Sequence, residues 1–272
     1  MSAFLRNIGQ TSLAESVSLY TARGRRRIGS KLIRNIGPLR RATVSAGATD
    51  PNFANVLLLL HCDGTDGSTT FTDNSSYART ITTNGNAQVD TAQSVFGGAS
   101  ALFDGTGDFL SAPDAAEWAF SNGTIEGRVR FSGSITGRPT LCSQIVDDNN
   151  GWALYLDITG AQGLRFVQVE GGGVTINISQ GATTGWTADT WYAYAWNKNG
   201  NDHVIYRDGT SIASGTDATP IANFAAALQI GWGANTTLGL EGLNGWEDEI
   251  RVSDISRYSG NYTIESEAFP NS

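Results

Sequence analysis

The stretch TWYAYAWNKNGNDHVIYRDGTSIAS, Thr190–Ser214, decides the fold. Aromatic and small side chains alternate from Trp191 to Trp196, the period of two that a strand requires. Asn199–Asn201 then supplies a turn, because Asn and Gly tolerate the backbone angles that tight hairpins need. The chain returns through His203–Arg207 and turns again at Asp208–Gly209. Outward from this hairpin the same pattern recurs in VLLLLHCDG, TFTDNS, RTITTNGNAQVD, SALFDGTGDFLSA, GTIEGRVRFSG, TLCSQIV, GWALYLDI, GLRFVQVEG, VTINISQ, AALQIGWG and WEDEIRVS. Such short runs, bounded by Gly, Asn or Asp, predict an all-β, two-sheet antiparallel sandwich over residues 51–272. No long helix is expected there, only a single turn at DAAEW, residues 114–118.

Charge divides the chain differently. Residues 1–50 hold nine Lys and Arg against Glu15 and Asp50, about +7, whereas the remaining 222 residues hold nine against 24 acids, about −15. The first 50 residues therefore read as a basic N-terminal arm, extended and partly helical. SLAE, Ser12–Glu15, has the form of a capping box, and Leu13, Val17 and Tyr20 share a face of a helix expected over about 13–22. LRNIG at Leu5–Gly9 returns as IRNIG at Ile33–Gly37, by chance in a biased segment or as two similar docking steps. A small-residue linker over about 42–55 joins arm to sandwich.

The basic side chains are Arg23, Arg25, Arg26, Arg27, Lys31, Arg34, Arg40 and Arg41. Three readings compete: nucleic-acid binding, a targeting peptide, and docking into an acidic protein assembly. The tract has no aromatic residue for base stacking, and DNA would repel the acidic body, so nucleic acid is disfavoured. Arg alternating with Ile, Leu and Gly suits docking, in which charge steers and apolar residues anchor. The longest aliphatic run, VLLLL from Val56 to Leu60, is far below the roughly 20 residues a membrane span needs. No membrane contact is expected, and the N-terminus lacks the apolar core of a secretory signal. Cys62 and Cys142 read as small apolar strand residues or as one bridge, and lack zinc-site spacing.

The order of LLLLHCDGTDGSTTFTDNSS, FGGASALFDGTGDFLSAPDAAEWAF, TIEGRVRF, DTWYAYAW, YRDGTSIASG, LQIGWG and LNGWEDEIRVSDISRY resembles the concanavalin A-like, laminin-G-like jelly-roll domain. The version it resembles is common in bacteriophage virion proteins, and the likeness covers about 55–270. The closing phrase carries most of it, with Asp248, Glu249, Arg251, Arg257 and Tyr258 at the family's positions. The resemblance implies two antiparallel sheets, one concave face and loops at a rim. It further implies virion localisation, partner virion proteins of capsid or tail, and a homo-oligomer, with a trimer expected.

Chemistry within that frame points to binding. Glycosidases of this fold resemble E-x-D-x-x-E, which places carboxylates on one face of a strand. That spacing is absent; WEDEIR is expected to put Glu247 and Glu249 on one face and Asp248 on the other. The two histidines, His61 and His203, form no Ser-His-Asp pattern, and the chain is read as no enzyme. Sugars stack on exposed aromatic rings while Asp and Asn take their hydroxyls. Trp152, beside the DDNN loop, and Trp186, in GATTGWTAD, are the candidate platforms, with Asp147, Asp148 and Asn149 as polar partners. Trp191 and Trp196 read as core, and Trp232 and Trp246 fit either place. Relatives hold Ca²⁺ at the rim; Asp147, Asp148, Asn149 and Asn150 are the candidate ligands, with Asp63, Asp66, Asp104 and Asp108 as further acidic turns.

Overall fold

The protein is described by a computed structural model over residues 49–272. The expected helix near 13–22 and the docking side chains from Arg23 to Arg41 lie outside the described residues. Fifteen strands follow in chain order: β1 (Val56–Leu60), β2 (Thr82–Asn84), β3 (Gln88–Asp90), β4 (Ser100–Asp104), β5 (Phe109–Ala112), β6 (Gly123–Phe131), β7 (Thr140–Asp147), β8 (Asn150–Asp157), β9 (Gly163–Glu170), β10 (Gly173–Ser179), β11 (Trp191–Asn199), β12 (Asp202–Arg207), β13 (Thr210–Thr216), β14 (Leu228–Ile230) and β15 (Asn244–Ser253). They form two antiparallel sheets. One is eight-stranded, ordered β13-β12-β11-β6-β15-β4-β3 with β1 paired to β15; the other is seven-stranded, ordered β10-β9-β8-β7-β14-β5-β2. The all-β jelly-roll sandwich is as the alternation predicts, and DAAEW makes a single 3-10 turn at Ala116–Trp118. TFTDNS departs from expectation. It contributes only an isolated Thr72–Thr80 bridge, because Asp73 folds the segment back through its carboxylate onto the amides of Leu59, Ser75 and Arg79.

The quoted hairpin turns where expected, with Asn199 opposite Asp202 across Gly200. Asp208 and Gly209 both take positive φ, 49° and 72°, the left-handed pair a two-residue hairpin turn needs. Between the sheets, Phe166 of β9 stacks on Trp196 of β11 with centroids 4.1 Å apart, and Trp152 of β8 stacks on Phe166 at 5.8 Å. Each such ring removed from water contributes about 1.5–3 kcal/mol. Cys62 and Cys142 are free thiols buried in this core, so the bridge is not formed.

The outer faces are covered too. On the eight-stranded sheet, Phe269 of the C-terminal segment packs on Val56 and Leu59. Beside it Glu126 (β6) pairs with Arg251 (β15) at 2.8 Å, and Asp50 pairs with Arg257 at 2.9 Å. On the seven-stranded sheet, Ala153, Tyr155, Val167 and Val169 lie under Leu238 and Leu240 of the loop that precedes β15.

β15 breaks the simple alternation expected for WEDEIR. Its pairing with β6 shifts between Asp248 and Arg251, and Glu249 has φ of 50°. At this bulge Glu247 turns into the core, where the Tyr194 hydroxyl donates to it at 2.8 Å. Asp248 instead accepts from the amides of Val95 and Phe96. Glu249 accepts from the Phe269 amide and bonds His61 Nδ1 at 2.8 Å. The three carboxylates therefore serve three different segments, and Glu247 and Glu249 do not share a face.

Candidate functional site

The expected aromatic platforms are buried. Trp152 is 1 % exposed, because the alternation of β8 turns Trp152, Leu154 and Leu156 together into the core. Adjacency to a loop in sequence does not override strand parity. Trp186 is 9 % exposed. Its loop folds inward: the ring meets Phe131 edge-on at 6.2 Å and Tyr192 at 5.0 Å, and its Nε1 donates to Gln180 at 2.9 Å. Neither ring can stack on a sugar in this arrangement. Trp196 is core as expected, whereas Trp191 is only half-buried.

The Asp147–Asn150 turn serves as a clamp. Asp147 Oδ1 accepts from the Asn149 amide and from Asn150 Nδ2. Asp148 accepts from the amide of Thr236 at 2.6 Å and from its hydroxyl, and these bonds hold its carboxyl below the ordinary carboxylate range. Asn150 Oδ1 takes the Gly171 amide. Asn235 completes the clamp by donating to the carbonyl oxygen of Asp148 at 3.2 Å. Asp147 Oδ1 and both Asp148 oxygens are thus already taken, which leaves the turn few of the six to eight oxygens that calcium wants. The other acidic turns also close on backbone amides: Asp66 on Thr91, Asp104 on Thr106, and Asp108 on Asn86 and Asp104. Among the described residues, no group of three or more His, Cys, Asp or Glu is placed to hold a metal.

The arrangement with recognition chemistry lies at another rim. A cleft of about 190 Å³ opens between the end of β4, the loop after β6 and the start of β15. Asp104, Ser132, Ser134, Thr136, Glu241 and Asn244 give it hydroxyl, carboxylate and amide groups, and Ile135, Pro139 and Phe131 give it apolar walls. Gly137, at φ of 66°, leaves room for the Glu241 carboxylate; a Cβ there would come within 1.8 Å of it. Gly242, in the cleft wall, lies against the ring of Trp232, where a Cβ would come within 2.9 Å. Trp232 stacks on Phe109 with centroids 6.0 Å apart and planes 22° apart, both rings half-buried. Phe109 alternates with the core residues Leu110 and Ala112 and so stands on the outer face of the seven-stranded sheet. Ser111 is beside it, held by Asn84 Nδ2 at 3.2 Å. The aromatic pair thus lies at the outer sheet face, with Trp232 against the Gly242 wall of the cleft.

Sequence reasoning left Trp232 undecided and did not single out Phe109, Glu241 or Asn244. The signal for Phe109 was present, since FLSA alternates and Leu110 and Ala112 are the more apolar pair. The approach of Gly242 to Trp232 has no sequence signature. Trp246, the other undecided ring, is half-buried and fixed by its Nε1 to Asp90 at 2.6 Å.

Several solved structures share the fold at low identity. The binding domain of Paraclostridial Mosquitocidal Protein 1 superposes with a TM-score of 0.56 at 15 % identity, covering 76 % of this chain and 50 % of that one. A botulinum neurotoxin DC binding domain solved with SialylT gives 0.54 at 13 %, covering 76 % and 49 %. The chain thus spans about half the length of these toxin domains. Domain 4 of AbnA, an extracellular GH43 arabinanase from Geobacillus stearothermophilus solved with arabinotriose, gives 0.52 at 17 %, covering 74 % and 93 %. No curated protein matches the chain in sequence. A family model matches residues 104–259, from the end of β4 through the closing strand, and with more than half of its length inside that match the chain belongs to the concanavalin A-like lectin/glucanases superfamily, as a Laminin_G_3 domain.

Proposed function

We propose that the sandwich is a non-catalytic carbohydrate-binding module whose ligand lies in the Asp104–Glu241–Asn244 cleft and against Trp232. The observation that carries this reading is the polar cleft beside a stacked, half-buried aromatic pair. Hydroxyl-rich rings have polar edges and apolar faces, and such a site offers a partner to each. The arabinotriose-bound domain of the same fold supports it by analogy. Trp232→Ala is expected to weaken binding to an immobilised glycan panel about tenfold or more, as truncation of a central aromatic contact does, with the β-sheet circular-dichroism spectrum retained. Equal binding by wild type and variant would place the ligand elsewhere.

We propose further that the module decorates a virion, capsid or tail as a symmetric homotrimer, with the basic tract as its attachment to other virion proteins. The charge division and the resemblance to phage virion domains support this. Polarity of the sandwich supports it as well. Asn244, at the start of β15, lines the cleft. At the other end, about 30 Å away along a ten-residue strand, Ser253 pairs with Val56, and the Asp50 amide donates to the Ser272 carbonyl at 2.7 Å. Within the sandwich, Asp50 and Ser272 thus lie at the end away from the cleft. In cosedimentation with purified particles, the full chain is expected to bind at low salt and release at high salt, and a version starting at Thr49, which keeps Asp50, is expected to stay in solution. Equal pelleting of both would assign the contact to the sandwich.

A further inference from the structure

The charge of the cleft selects among glycans. We infer that it takes neutral or amine-bearing sugars and rejects anionic ones such as sialylated or uronic-acid glycans; this rests on the carbohydrate-binding reading above. The lining contains two carboxylates, Asp104 and Glu241, and no Lys or Arg. Both acids are exposed, so they face ligand and solvent. Asp108, just behind, adds a third negative charge, buried against the amides of Asn86 and Asp104.

The cations on neighbouring residues are committed elsewhere. Arg138, next to Pro139, donates to Asp157 at 2.9 Å and to the Leu238 carbonyl at 2.5 Å. Arg130, next to Phe131, pairs with Asp189 at 3.3 Å and lies 5.6 Å from the Trp246 ring. Neither can turn to a ligand carboxylate without leaving a partner. Recognition of a carboxylate ordinarily uses a forked guanidinium or a cluster of amides, and the lining supplies no such guanidinium. The surrounding field has the same sign, because residues 51–272 carry about −15. An ammonium on the ligand would find two carboxylates at hand, whereas a ligand carboxylate would approach two like charges in a negative field.

Titration calorimetry of the full chain tests this with four probes: a glucosamine tetramer, its N-acetylated twin, arabinotriose and 3′-sialyllactose. The glucosamine tetramer is expected to bind roughly five- to tenfold tighter than its twin, about what one charge contact near a surface supplies. That excess should vanish in high salt. The sialylated probe should bind more weakly than either neutral probe. Asp104→Asn with Glu241→Gln should erase the preference, leaving the glucosamine tetramer and its twin equal. Glu170→Gln with Glu267→Gln, an equal charge change at exposed sites outside the cleft lining, should leave it intact. Preferential binding of the sialylated probe, or loss of the preference in the distant variant, would overturn the inference while carbohydrate binding stands. Failure of all four probes would count against both.

Discussion

Glu126→Ala is expected to destabilise the sandwich by about 3–5 kcal/mol, because it leaves buried charge without its partner. Glu126 is 2 % exposed, in the middle of β6. One of its oxygens takes Arg251 Nε and a terminal nitrogen at 2.8 Å each, and the other accepts from the Tyr258 hydroxyl. Arg257 lies 3.8 Å away and is also held by Asp50. Two guanidinium groups thus meet two carboxylates under the C-terminal segment, with Arg251 resting 3.8 Å from the Phe269 ring. Burial and the neighbouring Arg251 already push the Arg257 pKa down, so removing Glu126 deepens an existing repulsion. For a domain of this size each kcal/mol moves the midpoint by about 2–4 °C, so the loss should exceed about 6 °C in a circular-dichroism melt. Glu126→Gln should lose nearly as much, since it keeps shape but not charge. Replacing Glu126 and Arg251 together with apolar residues should recover part of the loss, because the penalty comes from the unpaired ion. A change below about 1 kcal/mol for Glu126→Ala, the range of exposed pairs, would mean that water reaches the network.

That network also shows where sequence reading stops. Arg251 and Arg257 are visible in the closing phrase, but Glu126 lies 125 residues before Arg251 and Asp50 lies 201 before it. Only the β6–β15 register, Glu126 opposite Arg251, brings the first pair together, and alternation within one strand contains no register. Alternation and turn chemistry do contain the hairpin at Asn199–Asp202, the Asp208–Gly209 turn, the sandwich and the absence of long helices among the described residues. The candidate site was less legible because exposure was inferred from loop proximity. Trp152 adjoins a polar turn yet shares the parity of Leu154 and Leu156, and parity decides. Asp147 and Asp148 looked like ligands because turn-closing carboxylates and metal-binding carboxylates share composition. Only the direction of their bonds, toward Asn149 and Thr236 amides, separates the two.

Asp248 gives the sandwich a pH dependence opposite to that of an ordinary ion-paired acid. Burial raises its pKa from 3.8 to about 7, against the opposing bonds from the Val95 and Phe96 amides, and its second oxygen is buried without a partner. Below pH 4 both folded and unfolded chains hold the proton, and the group is neutral to stability. Between pH 4 and 7 the unfolded chain releases it while the folded chain retains it. Stability therefore falls as pH rises through this window and levels off above pH 7. The full effect is on the order of 4 kcal/mol. Glu247, buried beside Tyr194, has its pKa pushed up by the same cause and adds to the decline. His203 works the other way: burial and Lys198 lower its pKa to about 4, so its contribution grows as pH rises from 4 to 6.5. The wild-type curve alone would mix these, but the difference between Asp248→Asn and wild type isolates one group. The asparagine oxygen can accept from both amides and carries no proton to lose. In urea unfolding followed by tryptophan fluorescence, the variant should match wild type near pH 4. Its advantage should grow to a few kcal/mol by pH 7 and hold constant to pH 8, with an unchanged denaturant slope. Parallel curves for the two proteins across that range would show that Asp248 is ionised in the folded state at every pH tested, and the buried bulge would then need a charge partner that the described residues do not provide.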